Sequence, residues 1–221
     1  MIPLRDENPT QTFSYMTVFL IVLNFLVFFY EVYLGGLLEV AIRPYTLIPY
    51  NFINYFGFDQ LITLITCMFF HGSLFHLLGN MLYLWIFGNN VEDVLGHFRF
   101  LLYYLLCGIF ASLVHIFTNP SSTIPTIGAS GAISGVLGAY FVLFPQARIV
   151  TLVPIFYFIR IIRIPAFYFL GLWVFFQIIS GLLSLGSSFE EGIAWFAHVG
   201  GFFAGVLLLP IFCGFRRRYE V

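Results

Sequence analysis

Apolar residues run through this chain in six stretches, at about 13–34, 74–94, 99–118, 129–144, 165–181 and 192–213. Each is close to the ~20 residues a helix needs to cross a hydrocarbon core of ~30 Å. The pattern predicts an all-α membrane protein of six transmembrane helices. The breaks are short except one, residues 35–72. That segment is apolar and aromatic, but Pro44 and Pro49 interrupt it and Glu39, Arg43 and Asp59 are scattered through it. It predicts a membrane-associated first loop in the headgroup region, because lipid-exposed irregular backbone is not tolerated deeper. The fourth stretch is the shortest, with sixteen residues reaching only ~24 Å. Residues 118–126 before it carry Pro120 and Pro125 and cannot be helical. The fourth helix is therefore expected to begin below the membrane surface, where irregular backbone survives only beside protein or a water-filled cavity.

Composition agrees with this class. Of 221 residues, 61% are hydrophobic and 9% charged, and the mean hydropathy is +0.98. A water-soluble domain of this size could not cover its surface with so little polar material. The 30 Phe and 13 Tyr suit lipid-facing positions and interfacial belts. A formal net charge of −1 with no basic stripe points away from nucleic acid as a partner. Cys67, Cys107 and Cys213 have no metal-ligand spacing and read as unpaired thiols. The first stretch is longer than a signal h-region and no small-residue cleavage site follows it, so a retained N-terminus and a single domain over 1–221 are expected.

All nine positive charges are arginines. With the N-terminus inside, Arg5, Arg99, Arg148, Arg160, Arg163 and Arg216-Arg217-Arg218 face the cytoplasm and only Arg43 lies outside, a strong positive-inside asymmetry. Both termini are then cytoplasmic, and helices two, four and six descend from the outer face.

Polar residues within the stretches are few and therefore informative. His76 and Asn80, at i and i+4 on helix two, point the same way. Ser130 opens helix four within Gly128-Ala129-Ser130-Gly131, and His198 is read as roughly two turns into helix six. Counting residues brings these groups to a similar depth. Gly131, Gly135 and Gly138 make a small-residue stripe on helix four, and Ala197, Gly201 and Gly205 make one on helix six. Packing two such stripes would bring Ser130 to His198, the hydroxyl–imidazole pairing of a serine nucleophile. His76, Asn80 and backbone N–H groups at the helix-four N-terminus could then hold an oxyanion. Other polar residues have plainer readings. His115 and Ser134 read as packing residues, His97 as solvated, and Glu92 and Asp93 as anchors of a helix end. His71 could either order its loop or line a cavity. No acidic residue is placed to orient His198, so a dyad is expected.

These residues resemble the rhomboid family of intramembrane serine proteases. The resemblance covers His71-Gly72-Ser73-Leu74-Phe75-His76-Leu77-Leu78-Gly79-Asn80, then Phe87-Gly88, Val91-Glu92-Asp93 and Gly96. It continues through Gly128-Ala129-Ser130-Gly131 and ends on Ala197-His198-Val199-Gly200-Gly201 with Gly205. It implies a six-helix rhomboid bundle around an outward-opening cavity. Ser130 would be the nucleophile and His198 the general base. His76, Asn80 and the Ser130 amide would hold the oxyanion, with His71, Gly128, Gly131, Gly201 and Gly205 supporting. The implied substrates are transmembrane proteins cut in or near their membrane segments at small residues, with no metal or organic cofactor. A mobile outer loop is implied at about 182–191.

The sequence departs from the family twice. Some members place a Tyr one turn after the nucleophile, stacked on the catalytic His, where this chain has Ser134. A Trp-Arg pair found in the first loop of some members is missing. His198 must then be positioned by something else, such as an aromatic from another helix. The alternative reading is a non-proteolytic relative that binds and routes membrane clients, although such relatives generally lack the Ser or the His. The sequence sets no oligomeric state. The minimal chain suggests a multi-pass protein of a bacterial plasma (inner) membrane.

Overall fold

The computed structural model of the chain describes residues 1–155, 158–185 and 194–213. Most of the expected outer loop at 182–191 and the Arg216-Arg217-Arg218 cluster lie outside the described residues. Helices dominate: α1 (Tyr15–Leu34), α5 (Leu74–Leu95), α6 (His97–Thr118), α7 (Ser130–Leu143), α8 (Ala166–Ser184) and α9 (Trp195–Cys213). They match the six apolar stretches to within a few residues. Among the described residues, four helical stretches are long and apolar enough by themselves to cross a membrane, Tyr15–Tyr45, His97–Thr118, Ala166–Ser184 and Trp195–Cys213. A fifth is reached if α5 is joined to the segment before it, across a bend of 83°. Helix α5 is less apolar because it carries His76, Asn80, Asn89, Asn90, Glu92 and Asp93. Helix α7, with 14 residues, spans only ~21 Å.

Three short helices lie in the first loop, α2 (Leu38–Ile42), α3 (Pro49–Asn54) and α4 (Phe58–Thr66). They hold the irregular segment between α6 and α7. Leu47 and Thr126 exchange both backbone hydrogen bonds, Tyr50 N–H donates to the Ser122 carbonyl at 2.9 Å, and Gly128 N–H donates to the Cys67 carbonyl at 2.9 Å. The polar backbone ahead of α7 is thus paired inside the protein.

At the other end, Glu92 and Asp93 of α5 take the anchoring role expected of them. No side chain caps α1 from within. Instead the Glu92 carboxylate accepts from Met16 N–H at 2.9 Å and from Thr17 N–H and hydroxyl, both at 2.7 Å. Asp93 accepts from Gln11 N–H at 2.8 Å and Thr12 N–H at 2.9 Å. His97, expected to be solvated, keeps a partly exposed side chain and also places Nδ1 2.6 Å from Glu92 Oε1. Glu92 is 0% exposed, so Glu92→Leu leaves buried α1 donors unpaired. It is expected to cost about 2–4 kcal/mol, read as a clear fall in melting temperature in detergent.

The all-α expectation is incomplete. Between α7 and α8 lies a second long connection, which forms strands β2 (Arg148–Ile155) and β3 (Phe158–Pro165). The N-terminal strand β1 (Ile2–Asp6) pairs antiparallel with β2, giving a sheet of order β1-β2-β3. Ile149 stands opposite Ile164 and Thr151 opposite Ile162. The β-branched run in both segments favours this pleated pairing. Neither segment is long enough to span a bilayer as a helix, so their backbone groups pair with each other. Asp6 ties the sheet to the bundle by accepting from the Tyr140 hydroxyl at 2.7 Å. Arg163 Nε donates to Glu7 at 2.7 Å, and the guanidinium holds the Glu7 carboxyl below its usual range.

The centre of the bundle is the trio α6, α7 and α9, which pack closely because of their small residues. A Cβ on Gly201 would collide with the Gly131 carbonyl, one on Gly205 with the Gly135 backbone, and one on Gly138 with the Phe202 carbonyl. Tyr103 of α6 reaches into the same seam and donates its hydroxyl to the Gly205 carbonyl at 2.7 Å. This approach of α7 to α9 sets the geometry of the site.

Candidate active site

Ser130 is the first residue of α7, and His198 lies in the first turn of α9, which begins at Trp195. That is shallower than the two turns expected from sequence. The seam of small residues holds the two helix ends together, with His198 Nε2 2.8 Å from Ser130 Oγ. Both side chains are half-buried and line a cavity of about 950 Å³. A hydroxyl at hydrogen-bond distance from an imidazole nitrogen, in a space that can admit a substrate, is the minimum for an activated serine.

The cavity is also lined by His76, Asn80, Gly128 and His115. Ser73 caps α5, accepting from His76 N–H at 3.2 Å, and so fixes the turn that carries His76. Gly128 has φ +124°, a conformation that favours glycine. A Cβ there would stand 2.8 Å from His76 Nε2 and 3.8 Å from Asn80 Nδ2. Both side chains therefore converge on the chain two residues before Ser130, where any larger residue would crowd them. Asn80 Nδ2 is buried and has no hydrogen-bond partner among the described residues, a donor held ready at the cavity wall. The first helical hydrogen bond of α7 is that of Ile133 N–H to the Ala129 carbonyl, at 3.0 Å. The N–H groups of the preceding residues, including Ser130, have no partner within the helix.

The remaining residues separate into support and lining. Ser134 donates its hydroxyl to the Ser130 carbonyl at 2.6 Å, and is a packing residue as read. His71 takes the loop-ordering alternative. Its N–H donates to Glu31 of α1 at 2.9 Å, its Nδ1 lies 3.3 Å from the Phe69 carbonyl, and its ring stands 5.1 Å from that of His76. His115 was read as packing alone, but it also lines the cavity, with Nδ1 3.4 Å from Asn119 Nδ2.

Sequence reasoning missed one polar contact. Gln177 of α8 places Oε1 2.7 Å from His198 Nδ1. Two tryptophans flank the same imidazole, Trp173 with ring centroids 6.1 Å apart and Trp195 at 6.4 Å. The aromatic neighbour expected for His198 is present, but the amide was not foreseen. Its signal was available, because Gln177 is the one amide side chain in α8, whose other polar side chains are small hydroxyls or aromatic, and such a residue in an apolar helix is a site candidate by default.

Residues 59–215 match the family described as "Rhomboid domain". The chain is 33% identical over 151 residues to "Rhomboid protein 1, mitochondrial" of Saccharomyces cerevisiae, a match covering 66% of this chain and 40% of that protein. It is 38% identical over 76 residues to "RHOMBOID-like protein 5" of Arabidopsis thaliana, 34% of this chain and 25% of the relative. It is 36% identical over 93 residues to "Presenilin-associated rhomboid-like protein, mitochondrial" of Mus musculus, 41% of this chain and 25% of the relative. The matches thus span between a quarter and two-fifths of these curated relatives. All three are eukaryotic and two are mitochondrial by name, so they lend no support to the expected bacterial plasma membrane.

Proposed function

The chain belongs to the rhomboid family, and from that membership we propose that it is an intramembrane serine endopeptidase cutting transmembrane proteins in or near their membrane segments. The observation that carries the proposal is the 2.8 Å approach of Ser130 Oγ to His198 Nε2 inside the cavity. Ser130 is the nucleophile and His198 the general base. As Oγ attacks the scissile carbonyl carbon, its proton passes to His198 Nε2. The tetrahedral oxyanion is met by Asn80 Nδ2, His76 and the Ser130 N–H. Collapse breaks the C–N bond, and His198 returns the proton to the leaving amine. Water then repeats the sequence on the acyl-enzyme and restores Ser130.

In this reading the chain is a single domain over 1–221 with six spans, α5 and the short α7 included. The first loop lies in the headgroup region. Both termini are cytoplasmic, so the sheet is inside and the cavity opens outward. The substrates are membrane proteins presenting a small residue at the cleavage site.

A tagged single-span substrate co-reconstituted in liposomes tests the proposal. Cleavage that disappears in Ser130→Ala is expected, and an intact substrate with folded wild-type protein contradicts it. Asn80→Ala is expected to slow cleavage roughly 10²- to 10³-fold, the effect of losing one oxyanion donor. Turnover unchanged in Asn80→Ala removes it from that role.

A further inference from the structure

We propose that Gln177 is the positioning residue of the catalytic imidazole, making a Ser130–His198–Gln177 relay in place of an unsupported dyad; this rests on the serine-protease reading above. Three observations lead there. Gln177 Oε1 lies 2.7 Å from His198 Nδ1, while Ser130 Oγ lies 2.8 Å from Nε2 on the opposite side of the ring. The two contacts are complementary. A carbonyl oxygen can only accept, so Nδ1 carries the hydrogen and donates it to Gln177. The Nε2 lone pair is then left to accept the Ser130 proton. The second observation is burial. Gln177 is 9% exposed within an apolar helix, a costly place for an amide whose oxygen lacks a partner. The third is that Trp173 precedes Gln177 by one helical turn on α8, so both face His198. Helix α8 thus supplies an acceptor and an aromatic ring to the same imidazole. Ser134, by contrast, turns its hydroxyl to its own helix at the Ser130 carbonyl, and gives His198 nothing.

The groups around His198 also explain why an amide suits this place. His76 and His115 line the same cavity, and among the described residues no carboxylate lines it. An ionised carboxylate at position 177 would sit in a membrane span among neutral partners, at a large desolvation cost. The amide fixes the tautomer and ring orientation without burying a charge. Gln177 also lines the cavity, and the role assigned to it here is to act through His198 Nδ1.

Two measurements test this, one of them in the wild type. Spectra of protein carrying ¹⁵N-labelled histidine are expected to show His198 neutral and protonated at Nδ1; protonation at Nε2 overturns the proposal. The second is the rate of Ser130 labelling by a fluorophosphonate, with the melting temperature as a check on folding. Gln177→Leu, which removes the acceptor, is expected to slow labelling about 10- to 100-fold. Gln177→Glu, taken up as the neutral acid because the ionised form is so costly here, keeps a carbonyl acceptor oxygen at the same reach and is expected to recover most of that loss. Labelling of Gln177→Leu within twofold of wild type overturns the relay, as does an equal loss in folded Leu and Glu variants. Either result leaves the protease reading standing if labelling still requires Ser130 and His198. A wild-type protein that never labels removes both.

Discussion

Replacing His198 by alanine is expected to lower cleavage by roughly 10⁴-fold or more, with little change in melting temperature. Removing one member of a serine relay has effects of this size in well-understood hydrolases, because the serine is barely nucleophilic without its base. Little of the fold depends on this imidazole. His198 is half-buried at the cavity wall, and its hydrogen bonds go to Ser130 and Gln177. Its loss leaves the glycine seam of α7 and α9 intact. Activity and stability should therefore separate cleanly in this variant. Cleavage retained in His198→Ala contradicts its assignment as the base.

Gly201→Val is expected to fail in the opposite manner, losing fold and activity together. The added Cβ would run into the Gly131 carbonyl, with Ser134 Cβ 3.2 Å away. The obstructing atoms are backbone, which cannot swing aside like a flexible side chain. Overpacking of this kind costs about 1–3 kcal/mol or more, and here the strain falls one residue from Ser130. Separating α7 from α9 also lengthens the Ser130–His198 contact, so turnover should fall further than stability alone accounts for. Gly36→Ala is a control, since nothing lies within 4 Å of a Cβ there. A Gly201→Val protein that melts and cleaves like wild type contradicts the close packing.

The contrast between these variants follows what the sequence could and could not convey. The apolar helices were legible because long apolar runs stand out along the chain, and the ends of those runs fall within a few residues of α1 and α5–α9. The approach of Ser130 to His198 was legible through the glycines beside them, since small residues at helical spacing have few other uses in a membrane. Glu92 and Asp93 stood out as charges at a helix end. The sheet was not legible as a sheet. Its strands β2 and β3 are adjacent in sequence, but β1 comes from residues 2–6 and pairs across more than a hundred positions, a relation no local pattern carries. Gln177 was missed for a related reason. Its partner lies 21 residues away on another helix, and an amide, unlike a carboxylate, carries no charge to mark it as the group that orients a histidine. His97 opens α6 with its side chain 40% exposed and also reaches the buried Glu92, a contact that its place in the sequence did not convey.

Fluorophosphonate labelling of the detergent-solubilised protein reads out whether His198 activates Ser130. Wild type is expected to label covalently, and Ser130→Ala and His198→Ala, each folded by melting temperature, are expected not to label. Wild-type protein that is folded and open to the probe but stays unlabelled is incompatible with an activated Ser130, and labelling that persists in His198→Ala is incompatible with His198 as its base.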